Sequence, residues 1–126
     1  MTEGELKQRT MAFGLRVLRL VDTLPETGSG RVLAQQLGRS GTSVGANSRA
    51  AGRSRSAAEM ISKLSVVEEE ADESGFWIEL IGAPGLRAAD QLKPLRQEAS
   101  ELTAIMVASR KTLLAGDRKS RIQSRK

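Results

Sequence analysis

The chain has 126 residues and lacks Cys, His and Tyr altogether, with one Trp and two Phe as its aromatics. Without Cys there are no disulfides, no thiol nucleophiles and no Cys-ligated zinc or iron–sulfur sites. Without His there is no Ser–His or Cys–His relay, no haem ligation through His and no ordinary neutral-pH general base. An enzyme built on this chain would have to work with carboxylates, Lys, Ser or Thr. No window approaches 18 uninterrupted apolar residues, so no membrane-spanning helix is expected. The polar stretch Met1 to Lys7 has no signal-peptide apolar run. A cytoplasmic setting is the expectation, and the missing cysteines are compatible with it. With 2% aromatics, the core must come from Leu, Val, Ile, Ala and Met, which favours helices over a sandwich or barrel. A chain of this length is one domain and can bury roughly two-thirds of its unfolded surface.

What is present is charge, and it is segregated. The formal net charge is +5, from 20 basic and 15 acidic residues. Residues 116–126 hold five bases against Asp117, a net +4. Residues 31–63 carry Arg31, Arg39, Arg49, Arg53, Arg55 and Lys63 against Glu59, or +5. Residues 64–82 carry Glu68, Glu69, Glu70, Asp72, Glu73 and Glu79 with no base, or −6. An anionic partner is therefore worth testing, against the plain alternative of solvated faces and a disordered tail.

Three helices are legible from periodicity. Residues 5–24 place Leu6, Phe13, Val17, Leu20, Val21 and Leu24 on one stripe, and Pro25 ends the segment. Residues 56–82 carry an a/d seam of Met60, Leu64, Val67, Ala71, Ser74, Ile78 and Ile81. Ser56 and Glu59 form a capping box at its start, and GAPG (82–85) stops it. Residues 92–115 repeat the pattern with Leu92, Leu95, Ala99, Leu102, Met106, Ser109 and Leu113, Pro94 lying in the first turn. Residues 30–52 are ambiguous. Val32, Leu33, Leu37 and Val44 allow a helix, yet GRSGTSVGANSRAAG reads as a loop by propensity, since each Gly costs about 1 kcal/mol in a helix. A loop this long would be unusual in a small domain, and in a helix Gly38, Gly41 and Gly45 would serve close packing. Four helices of about 20–25 residues, each about 30–37 Å long, make an all-α, up-down-up-down antiparallel four-helix bundle. The bundle is expected within 1–115, with 116–126 as a basic, disordered tail.

Several pieces, in order, resemble the bacterial four-helix-bundle family also described as the 23S rRNA intervening-sequence protein family, which is related to the accessory variability proteins of diversity-generating retroelements. They are Gln36-Leu37-Gly38-Arg39-Ser40-Gly41-Thr42-Ser43, Ala46-Asn47, Arg53-Ser54-Arg55-Ser56, Lys63-Leu64, and Glu69-Glu70-Ala71-Asp72-Glu73 followed by Trp77. The similarity spans about residues 12–115. It implies that the second segment is a helix and that the bundle assembles into a homopentameric barrel. More weakly, it implies nucleic-acid binding and association with a reverse transcriptase. Relatives carry a Glu shortly after the Asn where this chain has Ala50, which puts any polar network through that Glu in doubt here. The basic tail has no counterpart in the resemblance.

Arg39, Arg49, Arg53, Arg55 and Lys63 are the candidates for phosphate contact. Arg49 and Arg53 share a helix face, and the guanidinium fork matches phosphate oxygens. The competing reading pairs these cations with the acidic run of the third helix. No aromatics are interleaved with them, so RNA or DNA would be held by its backbone with little sequence preference. The acidic run could imitate a carboxylate metal site, but a ferritin-like site needs Glu-x-x-His, and an acidic face pairing with Arg is the simpler reading. No metal or cofactor is expected. Ser40, Thr42, Ser43 and Ser54 lack a base, and Gly28-Ser29-Gly30 lacks the P-loop Lys, so no catalytic residue is assigned. Asn47, Gly41, Gly45, Glu70 and Trp77 are the structural or interface candidates. Phe76 and Trp77 adjoin Ile78 and cannot all enter one seam, so at least one should face a neighbouring helix or subunit. The expected function is a non-enzymatic homo-oligomer with weak, sequence-nonspecific nucleic-acid binding, and the alternative is a protein adaptor or scaffold.

Overall fold

The computed structural model describes residues 1–124. These form four α-helices and no strand: α1 (Glu3–Val21), α2 (Gly28–Ala51), α3 (Ala57–Gly82) and α4 (Ala89–Ser124). The first three begin on hydroxyl caps. Thr2, Thr27 and Ser56 accept hydrogen bonds from the backbone N–H groups of Glu5, Gly30 and Glu59 at 3.1, 3.0 and 3.1 Å. Each bond satisfies one of the donors that a helix start leaves unpaired. The turn before α4 holds the molecule's one positive-φ residue among those described, Gly85 at φ +75°.

The ambiguous second segment is a helix, and its polar residues are absorbed locally. Thr42 and Ser43 donate to the carbonyls of Gly38 and Arg39, each at 2.7 Å, and Asn47 Nδ2 donates to Ser43 O at 2.9 Å. These side chains close on their own backbone one turn back, so they add no unpaired groups to the bundle. Gly41 is buried because α1 lies against it: a Cβ there would stand 2.7 Å from both Val17 methyls. Gly45 and Gly38 are less constrained, since added carbons would find only ordinary contact, at 3.5 Å from Thr10 O and 4.0 Å from Val21. Gly30 packs against the Pro25 carbonyl, where no side chain fits.

Three boundaries differ from the sequence reading. α1 ends at Val21, and Leu24 reaches the core from the turn. α4 starts at Ala89, so Pro94 sits in the second turn and not the first. There it leaves the carbonyl one turn earlier without its usual donor. The third difference concerns the tail: 116–124 continue α4 as helix. Gly116 is not in a left-handed conformation and so does not stop the helix. Asp117 and Arg121, four apart, pair at 3.3 Å across the next turn. Arg125 and Lys126, the last part of the expected tail, lie outside the described residues.

The helices pack in sequence order, α1 on α2, α2 on α3 and α3 on α4, and α4 closes lightly back on α1. The diagonal pairs stay apart, so the α1–α2 side and the α3–α4 side are opposite faces. The core takes Phe13 and Val17 from α1, Leu37 and Val44 from α2, Val67, Ala71 and Ile78 from α3, and Leu102 and Met106 from α4. At its centre the Ser40 and Ser74 hydroxyls, both buried, bond at 3.0 Å, and Ser74 donates to Glu70 O at 2.8 Å. A buried hydroxyl pair costs little when both partners are satisfied. The light α1–α4 seam is clasped by Arg9, whose Nε and Nη2 donate to Glu98 at 2.8 and 2.6 Å. Those bonds, with the charges of Glu98 and Glu101, raise the Arg9 pKa further.

Candidate nucleic-acid interface

The up-down order gathers the start of α1, the end of α2, the start of α3 and the end of α4 at one pole of the bundle. The five candidate cations separate there into two groups. Arg39, in mid-α2, reaches across to α3 and pairs with Glu73 at 2.6 Å and Glu70 at 3.4 Å. The charges of Glu70 and then Glu73 raise its pKa. Glu73 also accepts from Trp77 Nε1 at 3.3 Å, so Glu70 and Glu73 form the acceptor side of an α2–α3 cross-link within one chain, with Trp77 a second donor to it. Lys63 pairs with Glu59 at 3.0 Å on α3.

Arg49, Arg53 and Arg55 form the second group. Each is exposed, and none has an acidic partner within 4.0 Å among the described residues. Arg49 lies in the last turn of α2, while Arg53 and Arg55 lie in the turn into α3. The fourth helix adds to them. Glu68 meets Arg110 at 3.2 Å, and a Cβ on Gly75 would lie 3.7 Å from Ala99, which fixes the register of α3 on α4. Carried toward the start of α3, that register brings Arg118 and Lys119 level with Ser56 and Ala57. The basic turn and the basic end of α4, separate in the sequence, therefore lie at the same pole of the bundle. Arg118 and Lys119 belong to the stretch expected as a disordered tail, and the helical continuation past Gly116 gives them their place.

The pole holds a cleft of about 170 Å³ lined by Glu3, Lys7, Arg49, Gly52, Arg53 and Met60, among others. Glu3 lines it without making an ion pair. Its volume is below the range typical of small-molecule pockets, about 300–1,000 Å³. Its cations are fixed on helix ends and a short turn, so it offers an extended anion a set of spaced positive charges. No cluster of three acidic side chains among the described residues is arranged to hold a metal ion. Among them, too, no helix is long and apolar enough to cross a membrane.

Asn47 and Gly41 serve contacts within the chain, as described above. Gly45 and Phe76 differ: Gly45 lines an open groove between α1 and α2, and Phe76 projects from α3, 52% exposed and edge-on to Trp77 at 5.1 Å.

A model of the family described as 23S rRNA-intervening sequence protein matches residues 2–108. Among solved structures, one similar chain is a protein with unknown function from the S23 ribosomal protein family of Bacteroides thetaiotaomicron. It is 29% identical, with a TM-score of 0.81, over 88% of this chain and 99% of that one. No curated protein matches the chain.

Proposed function

The chain belongs to the 23S rRNA-intervening sequence protein family, and from that premise we propose that it is a non-enzymatic, self-associating bundle that holds RNA or DNA by the phosphate backbone at its basic pole. One observation carries the reading: Arg49, Arg53 and Arg55 have no acidic partner among the described residues, and the helical end of α4 carries Arg118 and Lys119 to the same pole. Cations already paired within the fold, as Arg39 and Lys63 are, must give up a partner to bind phosphate. Unpaired ones release only counterions. A homopentamer would repeat the pole five times on one assembly and multiply its field. Both the number five and an accessory role beside a reverse transcriptase rest on the resemblance to the retroelement accessory proteins.

The test is fluorescence anisotropy with a labelled single-stranded RNA and a duplex DNA at low salt. Affinity should fall linearly with salt on a logarithmic plot, by about 0.7–0.9 per phosphate contacted. Reversing Arg49 and Arg53 to Glu should weaken binding at least tenfold, while Arg39→Ala leaves it nearly unchanged. Wild-type protein that binds neither probe at low salt would overturn the reading. The protein-adaptor alternative draws on the ion-paired α2–α3 face, and co-purification of a protein partner by a variant that no longer binds nucleic acid would favour it.

A further inference from the structure

Among the described residues, the cleft at the basic pole has one acidic side chain in its lining, and no ion pair holds it there. That residue, Glu3, lies exposed in the first turn of α1, with Lys7 one turn further along the same helix face. Lys7, Arg49 and Arg53 line the same cleft, yet Glu3 meets none of them within 4.0 Å. What seats the carboxylate is the end of α2. One of its oxygens stands where a Gly52 side chain would begin. The Gly52 backbone is ordinary right-handed helix, at φ −63° and ψ −15°, so its conformation does not call for glycine. The missing side chain instead leaves room for Glu3. The inner wall of the cleft is apolar, built from Leu6, Met60 and Leu64, and no aromatic side chain among the described residues lines it.

We infer that this pole selects RNA over DNA, Glu3 accepting a hydrogen bond from a ribose 2′-hydroxyl while Arg49 and Arg53 hold the adjoining phosphates; this rests on the proposed function and narrows its ligand. A carboxylate among phosphate-binding cations repels the ligand unless the ligand donates a hydrogen bond to it. Phosphates have no donor to give. Base amino groups do, but a base would find no aromatic platform to stack on here. The cleft, at about 170 Å³, is also below the roughly 300 Å³ at which small-molecule pockets begin, so it takes a sugar ring and not a whole nucleoside. The ribose 2′-hydroxyl sits on the carbon next to the one whose oxygen carries a phosphate. A carboxylate set between arginines that hold phosphate is therefore placed to meet it. The apolar wall of Leu6, Met60 and Leu64 suits the C–H face of the same sugar. DNA carries hydrogen at that position, which leaves Glu3 only its repulsion. One side chain thus acts with opposite sign on the two nucleic acids.

Three labelled single-stranded oligoadenylates that differ only at the 2′ carbon, bearing hydroxyl, hydrogen or fluorine, test this by fluorescence anisotropy at low salt. Fluorine keeps the sugar pucker of RNA but offers no donor, so it separates the hydroxyl from the shape of the strand. The wild type should bind the hydroxyl strand about tenfold more tightly than either of the others, the worth of one charge-assisted hydrogen bond. Glu3→Ala should weaken the hydroxyl strand and strengthen the other two, bringing all three within about twofold, as backbone contact alone predicts. Gly52→Ala keeps the Glu3 charge but fills its seat, and should erase the preference as well. Glu5→Ala, in the same turn of α1 but outside the cleft, should leave it intact. Circular dichroism verifies that the helices remain in each variant. A wild type that binds the three strands equally, or the fluorine strand as tightly as the hydroxyl strand, overturns the inference and leaves the phosphate-binding pole standing. So does a preference that survives Glu3→Ala or Gly52→Ala, or one that Glu5→Ala also erases. A wild type that binds none of the strands overturns both.

Discussion

The α3–α4 seam and the α1–α2 seam hold the same bundle by opposite means. Between α3 and α4, large aliphatic side chains recur at alternating steps of three and four, and Leu102, Met106, Ile78 and Ile81 are fully buried. Between α1 and α2 the chain removes side chains, and Gly41 lets Val17 of α1 sit almost on the α2 backbone. The first seam is stabilised by apolar area, the second by close approach. Area is lost gradually when a side chain is trimmed, whereas a close approach fails as soon as one carbon is added.

The largest effect should come from trimming the first seam. Leu102→Ala removes a fully buried side chain and should destabilise the bundle by about 2–5 kcal/mol in urea unfolding. In the second seam the smallest addition should suffice. Gly41→Ala sets a new carbon 2.7 Å from both methyls of Val17, a stiff β-branched neighbour that cannot rotate both away. Overpacking costs about 1–3 kcal/mol, against a helix-propensity gain for Ala over Gly of about 1 kcal/mol. A net loss is expected. Combined with Val17→Ala, the two changes should cost less than the sum of their separate effects. Additive costs would mean that the α1–α2 spacing does not depend on this contact.

The same contrast explains what could be read in the sequence. The seams of α3 and α4 announce themselves because burial by large residues leaves a period. Met60, near the start of α3, and Ser109 and Leu113, late in α4, are the seam positions that are only partly buried. In α2 the packing signal is the absence of side chains, which propensity scores as loop. The segment could be assigned from the residues that carry the family resemblance but not from its own pattern. The candidate cations were legible as a set. Their division was not, because Arg39 and Arg49 look alike in sequence and differ only in whether α3 presents a carboxylate opposite. Glu70 and Glu73 lie three apart and face α2, while the turn holding Arg53 and Arg55 faces no acid within ion-pair distance. Thr10, buried at the α1–α2 seam, and Ser40 also escaped a search for apolar stripes.

A glycine outside any seam should behave in the reverse way. Gly116 lies within α4 with nothing within 4 Å of an added Cβ, and its backbone is ordinary helix. Gly116→Ala should stabilise the end of α4 by about 0.5–1 kcal/mol. Hydrogen exchange of residues 113–124 should slow accordingly. Unchanged or faster exchange there would mean that this stretch is held by something other than its own helix propensity. The pair Gly41→Ala and Gly116→Ala therefore separates glycine used for contact from glycine that merely interrupts.

The smallest effect concerns how the two seams begin. α2 starts on the Thr27 hydroxyl with no acidic residue in its first turn, whereas α3 starts on Ser56 with Glu59 in its first turn. The Glu59 carboxylate accepts hydrogen bonds from the Lys63 side chain and from the backbone N–H of Arg55, one residue before the cap expected from the Ser-x-x-Glu pattern. These hold its pKa below the usual glutamate value, the Lys63 bond most of all. The folded chain thus favours the ionised form. Its stabilisation is complete above the unfolded glutamate pKa, about 4.3, and disappears as the pH falls through the lowered folded value. Amides in the first turn of α3 should therefore exchange more slowly in the wild type than in Glu59→Gln at pH 7. At a pH below the folded value the two proteins should match. The first turn of α2 should show no such difference at either pH. A gap in α3 that persists in acid would assign the effect of Glu59 to shape and not to charge, and the two helix starts would then differ less than their residues suggest.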